Sequence, residues 1–387
     1  MKIFLINSLY HPDTRGGAEV VTHTVARALV SRGHKVHVIA LGRFDEVVHD
    51  DDGVTVHRIK PRMPINFIDL PKSNILVRLV FHMYNMFSLA TSDEVMKILR
   101  EQQPELVLTH NIIGMGYRLL SRISKEFKHA HTVHDVQYAY PSGLLYWHHP
   151  KESFFKKILF VMYVALMKRI LSGVKYVVSP SQWLLSYYEQ YGYFAHAHKK
   201  VIRNSIDLHR EYVEKSYNGV YACIGQVSEH KGVKLLIEAF EIFHDKYPEV
   251  KLIIVGDGAL LSELKTRYPL SWIHFAGRIS NDQLPSKVFD NISYNVLASL
   301  VFENSPGTPY EGFANSTPVI VPRIGGAAEL VQEGVTGFIF EPGDRESLVG
   351  ALEKSYLSQN KYHWMAMQGR AFIESCSTDE YVRQILE

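Results

Sequence analysis

The sequence predicts an α/β protein built from two tandem, doubly wound parallel sheets. The chain has 387 residues, 46% of them hydrophobic, which is long enough for two separate cores. Short runs rich in valine, isoleucine and phenylalanine alternate with longer segments of helical periodicity, as in successive β-α-β units. The strand-like runs lack polar alternation, which is typical of strands covered by helices on both faces.

The first half of the chain supplies the elements of one sheet and its covering helices. The predicted strands are Lys2–Asn7, Lys35–Ala40, Val54–Ile59, Glu105–Thr109, Ala130–Val133 and Lys175–Ser179. The predicted helices are 16–32, 75–101, 114–127, 153–171 and 181–191. We expect these elements to form a first domain over residues 1–200.

A second set of elements begins near residue 219. The predicted strands are Val220–Ile224, Val250–Val255, Trp272–Phe275, Ser293–Ala298, Val319–Val321 and Phe338–Phe340. The predicted helices are 232–247, 258–267, 282–290, 306–315, 326–333 and 344–358. We expect a linker over 199–218, a second domain over 201–360, and a helical tail over 361–387 that packs back on the first domain.

Charge is unevenly divided along the chain, although the net charge is only +2. Residues 1–200 carry 25 Lys/Arg and 16 Asp/Glu, whereas residues 201–387 carry 17 and 24. A basic first half favours an anionic acceptor or an anionic membrane surface as partner, and a chance surface bias explains it equally well. We expect no nucleic acid partner.

Two cysteines and the apolar pattern bear on the compartment. Cys223 and Cys376 form no CxxC motif, which is typical of a reducing compartment. The apolar start of the chain is too short for a signal peptide, and no run approaches the ~20 apolar residues that span a bilayer. We therefore expect a cytoplasmic protein that is soluble or peripheral on the inner face of the cell membrane.

The most informative motif follows the predicted strand Ser293–Ala298. Glu303 and Glu311 lie eight residues apart, and Pro306 stands at the predicted first turn of the next helix. The free N–H groups of Gly307 and Thr308 can then bind a diphosphate or sugar hydroxyls without a metal. Two carboxylates beside them can each accept hydroxyl hydrogen bonds from a sugar or ribose. A surface loop followed by an acid favoured by the helix dipole is the plainer interpretation.

Two further loops join a strand to a helix in the same way. Lys231 opens the first helix of the second domain, where its ammonium could neutralise a leaving diphosphate, although a solvated lysine is the commoner case. Gly16 and Gly17 open the first helix of the chain and allow close approach of a ligand to the backbone, or simply form a tight turn.

The ordered set of motifs resembles glycosyltransferase family 4. It runs from Gly16-Gly17-Ala18-Glu19 through His134-Asp135, Ser181, Lys231-Gly232 and Gly256-Asp257-Gly258 to Glu303-x7-Glu311, Gly325-Gly326 and Pro342-Gly343-Asp344. The resemblance covers residues 3 to about 358. It implies a retaining enzyme of GT-B architecture, with two Rossmann-like domains, a nucleotide-sugar co-substrate held in the cleft between them, and neither a cofactor nor a catalytic metal.

The resemblance also implies a role for individual residues. Glu303 would bind hydroxyls of the transferred sugar, Lys231 would stabilise the diphosphate, and His134 would contact the sugar or β-phosphate from the acceptor side. The remaining donor-binding positions would be Gly16, Gly17, Gln226, Pro306, Gly307, Thr308 and Glu311. His110 and Asp135 are expected on the acceptor side. The donor would be a UDP- or GDP-sugar, and the acceptor a glycan or a lipid-linked sugar.

The chain departs from the family pattern in ways that keep other functions open. Gln226 stands where the family usually has arginine, so the diphosphate would depend more on Lys231. Gly312, directly after Glu311, replaces the commoner alanine. A catalytically weak or inactive nucleotide-sugar-binding protein, and a sugar-nucleotide epimerase of the same architecture, therefore remain alternatives.

Three other patterns have less specific interpretations. His129, His131 and His134 lie along one predicted strand. The sequence offers no fourth ligand at suitable spacing, so we expect no metal there. Asp50-Asp51-Asp52 matches a D-x-D pattern but is more typical of a solvated turn. The helix 153–171 has an apolar body and basic ends, which fits either a core helix or a helix in a membrane interface, and we favour burial.

Overall fold

The computed structural model describes residues 1–387 except 14, 15, 64, 73, 149–153, 207 and 209. The chain divides into two compact units. Unit 1 comprises Met1–Gly143, Glu152–Asp207 and Thr378–Glu387, and unit 2 comprises Leu144–Lys151 and Leu208–Ser377. Among the described residues, no helix combines the length and the apolar character that a membrane crossing requires.

Unit 1 contains an eight-stranded sheet in its described residues, in the order β3-β4-β2-β1-β5-β6-β7-β8. The strands are β1 (Lys2–Ile6), β2 (Lys35–Leu41), β3 (Glu46–His49), β4 (Thr55–Ile59), β5 (Leu106–Thr109), β6 (His129–Thr132), β7 (Tyr176–Ser179) and β8 (His198–Val201). All pairings are parallel except that β3 runs antiparallel to β4. The carboxyl ends of β5 and β6 therefore meet at one edge of the sheet, where ligands of α/β proteins bind.

Helices of unit 1 cover this sheet and supply its core. They are α1 (Gly17–Ser31), α2 (Ile75–Phe87), α3 (Ala90–Gln102), α4 (Arg118–Glu126), α5 (Phe154–Leu171), α6 (Gln182–Gln190) and, from the end of the chain, α13 (Thr378–Leu386). Buried residues of α1 such as Val25 and Leu29 pack with Ile3 and Val38 of the sheet and with Val382 of α13. The α6 helix begins where Ser181 accepts a hydrogen bond from the backbone N–H of Leu184, 3.1 Å away.

Unit 2 contains a six-stranded, all-parallel sheet in its described residues, in the order β11-β10-β9-β12-β13-β14. The strands are β9 (Val220–Ile224), β10 (Lys251–Val255), β11 (Ile273–Gly277), β12 (Tyr294–Val296), β13 (Val319–Pro322) and β14 (Gly337–Phe340). The helices are α7 (Val233–Lys246), α8 (Leu261–Arg267), α9 (Leu284–Lys287), α10 (Gly307–Ala314), α11 (Arg345–Leu357) and α12 (Tyr362–Glu374). Its core joins Phe240 and Phe243 of α7 to Leu252 of β10 and Leu352 of α11.

Several predicted boundaries differ from the structure. The edge strands β3 and β8 were not predicted, and β8 occupies the start of the expected linker. The expected helix 75–101 is two helices, and 326–333 contains only a short 3-10 turn at Ala328–Leu330. The expected tail divides, because α12 belongs to unit 2 and α13 to unit 1. Burial of the helix 153–171 was only half right, since one face of α5 is exposed.

Candidate active site

Lys231 and Glu303 form the centre of the candidate site in unit 2. Lys231 lies in the turn between β9 and α7, and Glu303 follows β12. The Lys231 Nζ donates to Glu303 Oε1 at 2.8 Å, and both side chains are partly exposed, at 29% and 17%. An ammonium has three donors, so Lys231 keeps two for phosphate oxygens while it holds Glu303.

Backbone contacts hold the two loops in place. The Leu300 N–H donates to the His230 carbonyl at 2.8 Å, which ties the Glu303 loop to the Lys231 turn. On the other side, the Gly326 N–H donates to the Glu303 carbonyl at 2.8 Å. Gly325 has φ +59°, and a Cβ there would collide with that carbonyl oxygen. The fold therefore fixes the backbone of the two loops from which the ion-paired side chains extend.

The helix after Glu303 begins one residue later than predicted. Pro306 is the N-cap in extended conformation, and α10 begins at Gly307. The Thr308 carbonyl is held by Asn295 Nδ2 at 2.8 Å, which fixes the first turn of the helix against β12. The N–H groups at this helix start form the type of site that binds phosphate or hydroxyl oxygens.

Glu311 lies in the second turn of α10 with its carboxylate turned back toward the helix start. Its Oε1 is 3.9 Å from the position that a Cβ on Gly307 would take. Burial raises the pKa of Glu311 above its usual value. The departure at Gly312 has a packing reason, because a Cβ there would lie 2.9 Å from Val319 Cγ1 and 3.1 Å from the Thr317 carbonyl. Gln226 is exposed in the loop after β9.

Unit 1 brings together the residues that were predicted on the acceptor side. His110 follows β5 and His134 follows β6, and His110 Nδ1 lies 2.9 Å from His134 Nε2. Burial lowers the pKa of His134 to about 4, and burial together with His134 lowers that of His110 well below its usual value. Both imidazoles are therefore neutral at pH 7, and one donates to the other.

Asp135 lies beside this pair and has an unusual environment for a carboxylate. Its Oδ1 accepts the Gln137 N–H at 2.8 Å, and its carbonyl accepts the Tyr188 hydroxyl at 2.6 Å. Burial raises the pKa of Asp135 to about 6. A group with this pKa can exchange a proton near neutral pH, which suits contact with an acceptor hydroxyl.

The glycines at the start of α1 differ in availability. The Gly16 N–H donates to Glu19 Oε2 at 2.7 Å, so this donor already has a partner. Around Gly17, a Cβ would meet nothing within 4 Å, so a ligand can approach the backbone there. Of the two predicted positions, Gly17 is the one that the geometry leaves open.

The histidines of β6 contact other protein side chains through both ring nitrogens. His129 contacts Ser124 Oγ through Nδ1 and Thr109 Oγ1 through Nε2, at 2.6 and 2.8 Å. His131 contacts Thr109 Oγ1 and the Tyr138 hydroxyl, at 2.9 and 3.1 Å. All four ring nitrogens therefore have partners in a buried network below His110 and His134, which the spacing of the residues did not reveal.

One group of potential metal ligands does form in the described residues, at the β3–β4 turn. Ligand atoms of His23, Asp50 and Asp52 all lie within 4.8 Å of one another. The Arg27 Nε is 3.0 Å from Asp52 Oδ1, so a guanidinium already balances this carboxylate. The turn that was expected at 50–52 is present.

Comparison with known proteins decides the family. The sequence profile described as Glycosyltransferase Family 4 matches residues 15–210, and that described as Glycosyl transferases group 1 matches residues 205–372. The chain belongs to glycosyltransferase family 4.

Individual relatives of this family-4 chain are distant. An uncharacterized 42.6 kDa protein in the cps region of Klebsiella pneumoniae is 27% identical over 53% of this chain and 56% of its own length. The capsular polysaccharide biosynthesis glycosyltransferase CapM of Staphylococcus aureus is 30% identical over 44% of this chain and 45% of its own. The chain thus spans about half the length of these curated relatives.

Solved structures match along the whole family-4 chain. HepE from Anabaena, solved in complex with UDP, superposes with a TM-score of 0.72 at 18% identity and covers 100% of this chain and 98% of its own. At this identity the likeness shows the fold alone, which is the GT-B fold of glycosyltransferases.

Proposed function

We propose that this family-4 chain transfers a sugar from a UDP- or GDP-sugar to a hydroxyl of a glycan or lipid-linked acceptor, with retention at the anomeric carbon. The observation that carries the proposal is the Lys231–Glu303 ion pair, held by backbone contacts close in sequence to the start of α10. HepE, which binds UDP, and CapM, named for capsular polysaccharide biosynthesis, support the donor and acceptor classes.

The charges in unit 2 match those that develop in the reaction. Breaking the bond between the sugar and the diphosphate leaves negative charge on the diphosphate and positive character on the sugar ring. Lys231 and the N–H groups at the start of α10 stabilise the diphosphate, and this positive end needs no metal. The second oxygen of Glu303 accepts sugar hydroxyls and orients the ring, and Glu311 holds the ribose.

The residues of unit 1 would act on the acceptor. The neutral His110–His134 pair and Asp135 offer donors and acceptors for a sugar hydroxyl. The acceptor oxygen would enter from the side that the nucleotide leaves, and a phosphate oxygen would help to remove its proton. We place the reaction in the cytoplasm at the inner face of the membrane, where a lipid-linked acceptor would be presented.

Nucleotide release from a panel of UDP- and GDP-sugars, with glycan and lipid-linked acceptors, tests the proposal. Glu303→Gln is expected to lower turnover about 100-fold or more, in line with the loss of other transition-state contacts. Glu353→Gln is the matched control, because Glu353 Oε1 also accepts a hydrogen bond from a lysine of unit 2, Lys246 Nζ, at 2.8 Å. Full activity of Glu303→Gln would end the assignment.

The same assay separates the alternatives. Binding without turnover would identify a nucleotide-sugar-binding protein, and a changed sugar without transfer would identify an epimerase. The anomeric configuration of the product, read by NMR, tests retention.

A further inference from the structure

Helix α5 presents an apolar face to solvent. Phe154, Leu159, Val161 and Met162 are 75%, 64%, 63% and 63% exposed, and Ile158 lies among them at 41%. The opposite face, with Val164 and Met167, is buried in unit 1. Single exposed apolar residues are ordinary, but a continuous face of them marks an interaction surface.

Helix α2 has the same character. Leu76, Val80, Met83 and Phe87 are all at least half exposed, and their spacing places them on one side of the helix. Its other side is held firmly, since Phe81 is buried and Asn85 Oδ1 accepts the N–H groups of Gly114 and Gly116 at 2.8 and 3.0 Å. The exposed face is therefore presented by a fixed helix.

The two helices are anchored on the same part of unit 1. The Asn85 carbonyl of α2 accepts the Tyr117 N–H at 3.1 Å, and the Tyr117 ring meets the Tyr138 ring edge to face at 5.5 Å. The Tyr163 hydroxyl of α5 donates to the Gln137 carbonyl, next to Tyr138, at 2.8 Å. Both helices are thus held by the segments that follow β5 and β6.

Charge distinguishes among the occupants that such a surface could have. Neither helix contains an aspartate or glutamate, and together they carry five basic residues: Arg78, Lys156, Lys157, Lys168 and Arg169. A second copy of the chain that docked through the same face would bring the same positive charge to a symmetric interface and be repelled. An anionic bilayer can accommodate both kinds of side chain. Amphipathic helices in a membrane interface insert their apolar residues into the acyl boundary and place their basic residues at the lipid phosphates.

We propose that α2 and α5 form one lipid-binding surface, which lies in the headgroup region of an anionic phospholipid bilayer. The apolar residues enter the acyl boundary and the basic residues contact lipid phosphates. This surface is independent of the proposed reaction, because binding to a vesicle requires neither donor nor acceptor.

Co-sedimentation with vesicles tests the proposal. The chain is expected to bind phosphatidylglycerol-containing vesicles at least tenfold more strongly than phosphatidylcholine vesicles, and added salt should weaken the binding only in part. Leu159→Glu on α5 and Leu76→Glu on α2 should each lower binding about tenfold or more. Leu357→Glu is the matched control, because Leu357 is 67% exposed on α11 of unit 2.

Three outcomes would overturn the proposal that α2 and α5 bind lipid. Wild type could fail to bind anionic vesicles, or the α2 and α5 variants could bind as well as the control. A wild-type dimer that Leu159→Glu converts to a monomer, without lipid binding, would show that a second copy covers the face. Circular dichroism of each variant checks that the fold is retained.

A separate observation concerns the segment Leu145–Trp147, here named the strap. Although the chain on both sides of it belongs to unit 1, the strap belongs to unit 2. Tyr146 forms an antiparallel bridge with Val301, the Phe302 N–H donates to the Leu145 carbonyl at 2.8 Å, and the Trp147 N–H donates to the Leu300 carbonyl at 3.1 Å.

The Trp147 ring secures the strap. It lies against Gly343, where a Cβ would collide with the indole. The paired residues Leu300 to Phe302 lead directly into Glu303. We infer that Trp147 is a positioning residue, which holds the Glu303 carboxylate at its place beside Lys231; this inference rests on the proposed function.

Trp147→Ala is expected to lower kcat for the nucleotide sugar about tenfold, while affinity for the free nucleotide changes less than twofold. Trp147→Phe should restore most of the loss, and Trp364→Ala is the control, since Trp364 is 45% exposed in unit 2 and Trp147 40%. Amide exchange at Phe302 and at residue 147, whose N–H groups form the hydrogen bonds between the strap and residues 300–302, should quicken in Trp147→Ala even if wild type has no turnover. Unchanged exchange and unchanged kcat would overturn the role of the strap.

Discussion

The two units carry opposite kinds of groups at the sheet edges where we propose that ligands bind. In unit 2 the site is a charged pair, Lys231 and Glu303, mounted on loops that backbone hydrogen bonds hold. In unit 1 the edge consists of neutral histidines, His110 and His134, and a carboxyl group with a raised pKa, above a buried network of polar side chains. None of the described histidines of unit 2 is fully buried.

This difference matches the two halves of a transfer reaction. A leaving diphosphate needs fixed positive charge, which costs no reorganisation when it is already in place. An acceptor hydroxyl needs groups that can both donate and accept a hydrogen bond, and neutral imidazoles do this. Changing the charge or the protonation state of groups in either unit, and removing metal ions, tests this comparison.

The largest effect is expected from removing the cation of unit 2. Lys231→Met leaves the diphosphate without its ammonium and Glu303 without its partner, so turnover should fall about 100- to 1000-fold. Lys246→Met, which breaks the ion pair with Glu353, should leave turnover within about twofold. Equal loss in both variants would mean that the Lys231 pair has no special role.

The next largest effect is expected from acid pH, because protonation of buried histidines should lower the stability of unit 1. Burial lowers the pKa of His37 to about 4 and that of His129 to about 3. As pH falls below 6.5 the unfolded chain binds protons that the folded chain does not, so the free energy of unfolding decreases from pH 6.5 toward 4. At pH 5 each histidine should contribute a loss of about 2 kcal/mol.

Urea unfolding at pH 7.5 and 5.0 measures this acid effect. His37→Phe should reduce the loss between the two pH values, because the ring that resists protonation is gone and stacking on Phe4 is retained. His363→Phe, at an exposed histidine of unit 2, should leave the loss unchanged. A wild type whose stability is the same at both pH values would contradict the prediction.

A smaller effect is expected from Asp135. Its folded pKa of about 6 lies above the usual 3.8, so the carboxyl loses its proton at a lower pH in the unfolded chain than in the folded one. The free energy of unfolding therefore falls as pH rises from 4 to 6. Asp135→Asn keeps an oxygen for the Gln137 N–H and should stabilise the protein at pH 7 by about 1–2 kcal/mol. Thermal unfolding at pH 7 measures the gain, and a loss would contradict the raised pKa.

The smallest effect on turnover is expected from removing metal ions. We expect EDTA to leave turnover within about twofold, because Lys231 and the α10 start supply the positive charge of unit 2. Asp52→Asn should likewise leave turnover unchanged, since Arg27 already balances this carboxylate in unit 1. Activity that requires added Mg²⁺ or Mn²⁺ would contradict the view that Lys231 and the α10 start supply the positive charge of unit 2.

The polar edge strands show where sequence reasoning failed. All four residues of β3 are exposed, and β8 has the sequence His-Lys-Lys-Val, so neither carries the apolar run that reveals a buried strand. The expected helix 75–101 ends at Phe87 because the Asn85 side chain and carbonyl bind the backbone of residues 114–117. That contact joins residues about 30 positions apart, and local periodicity does not record it.

The sequence by itself determined the α/β class, twelve of the parallel strands and the loops that carry Lys231, Glu303, His110 and His134, because buried runs and strand-to-helix turns leave local signals. Only the tertiary structure decided which side chains meet. The 2.8 Å Lys231–Glu303 pair, the exposed faces of α2 and α5 and the strap at Trp147 each depend on contacts between distant segments. An apolar helix has the same composition whether its outer face is covered or exposed, so packing alone distinguishes the two cases.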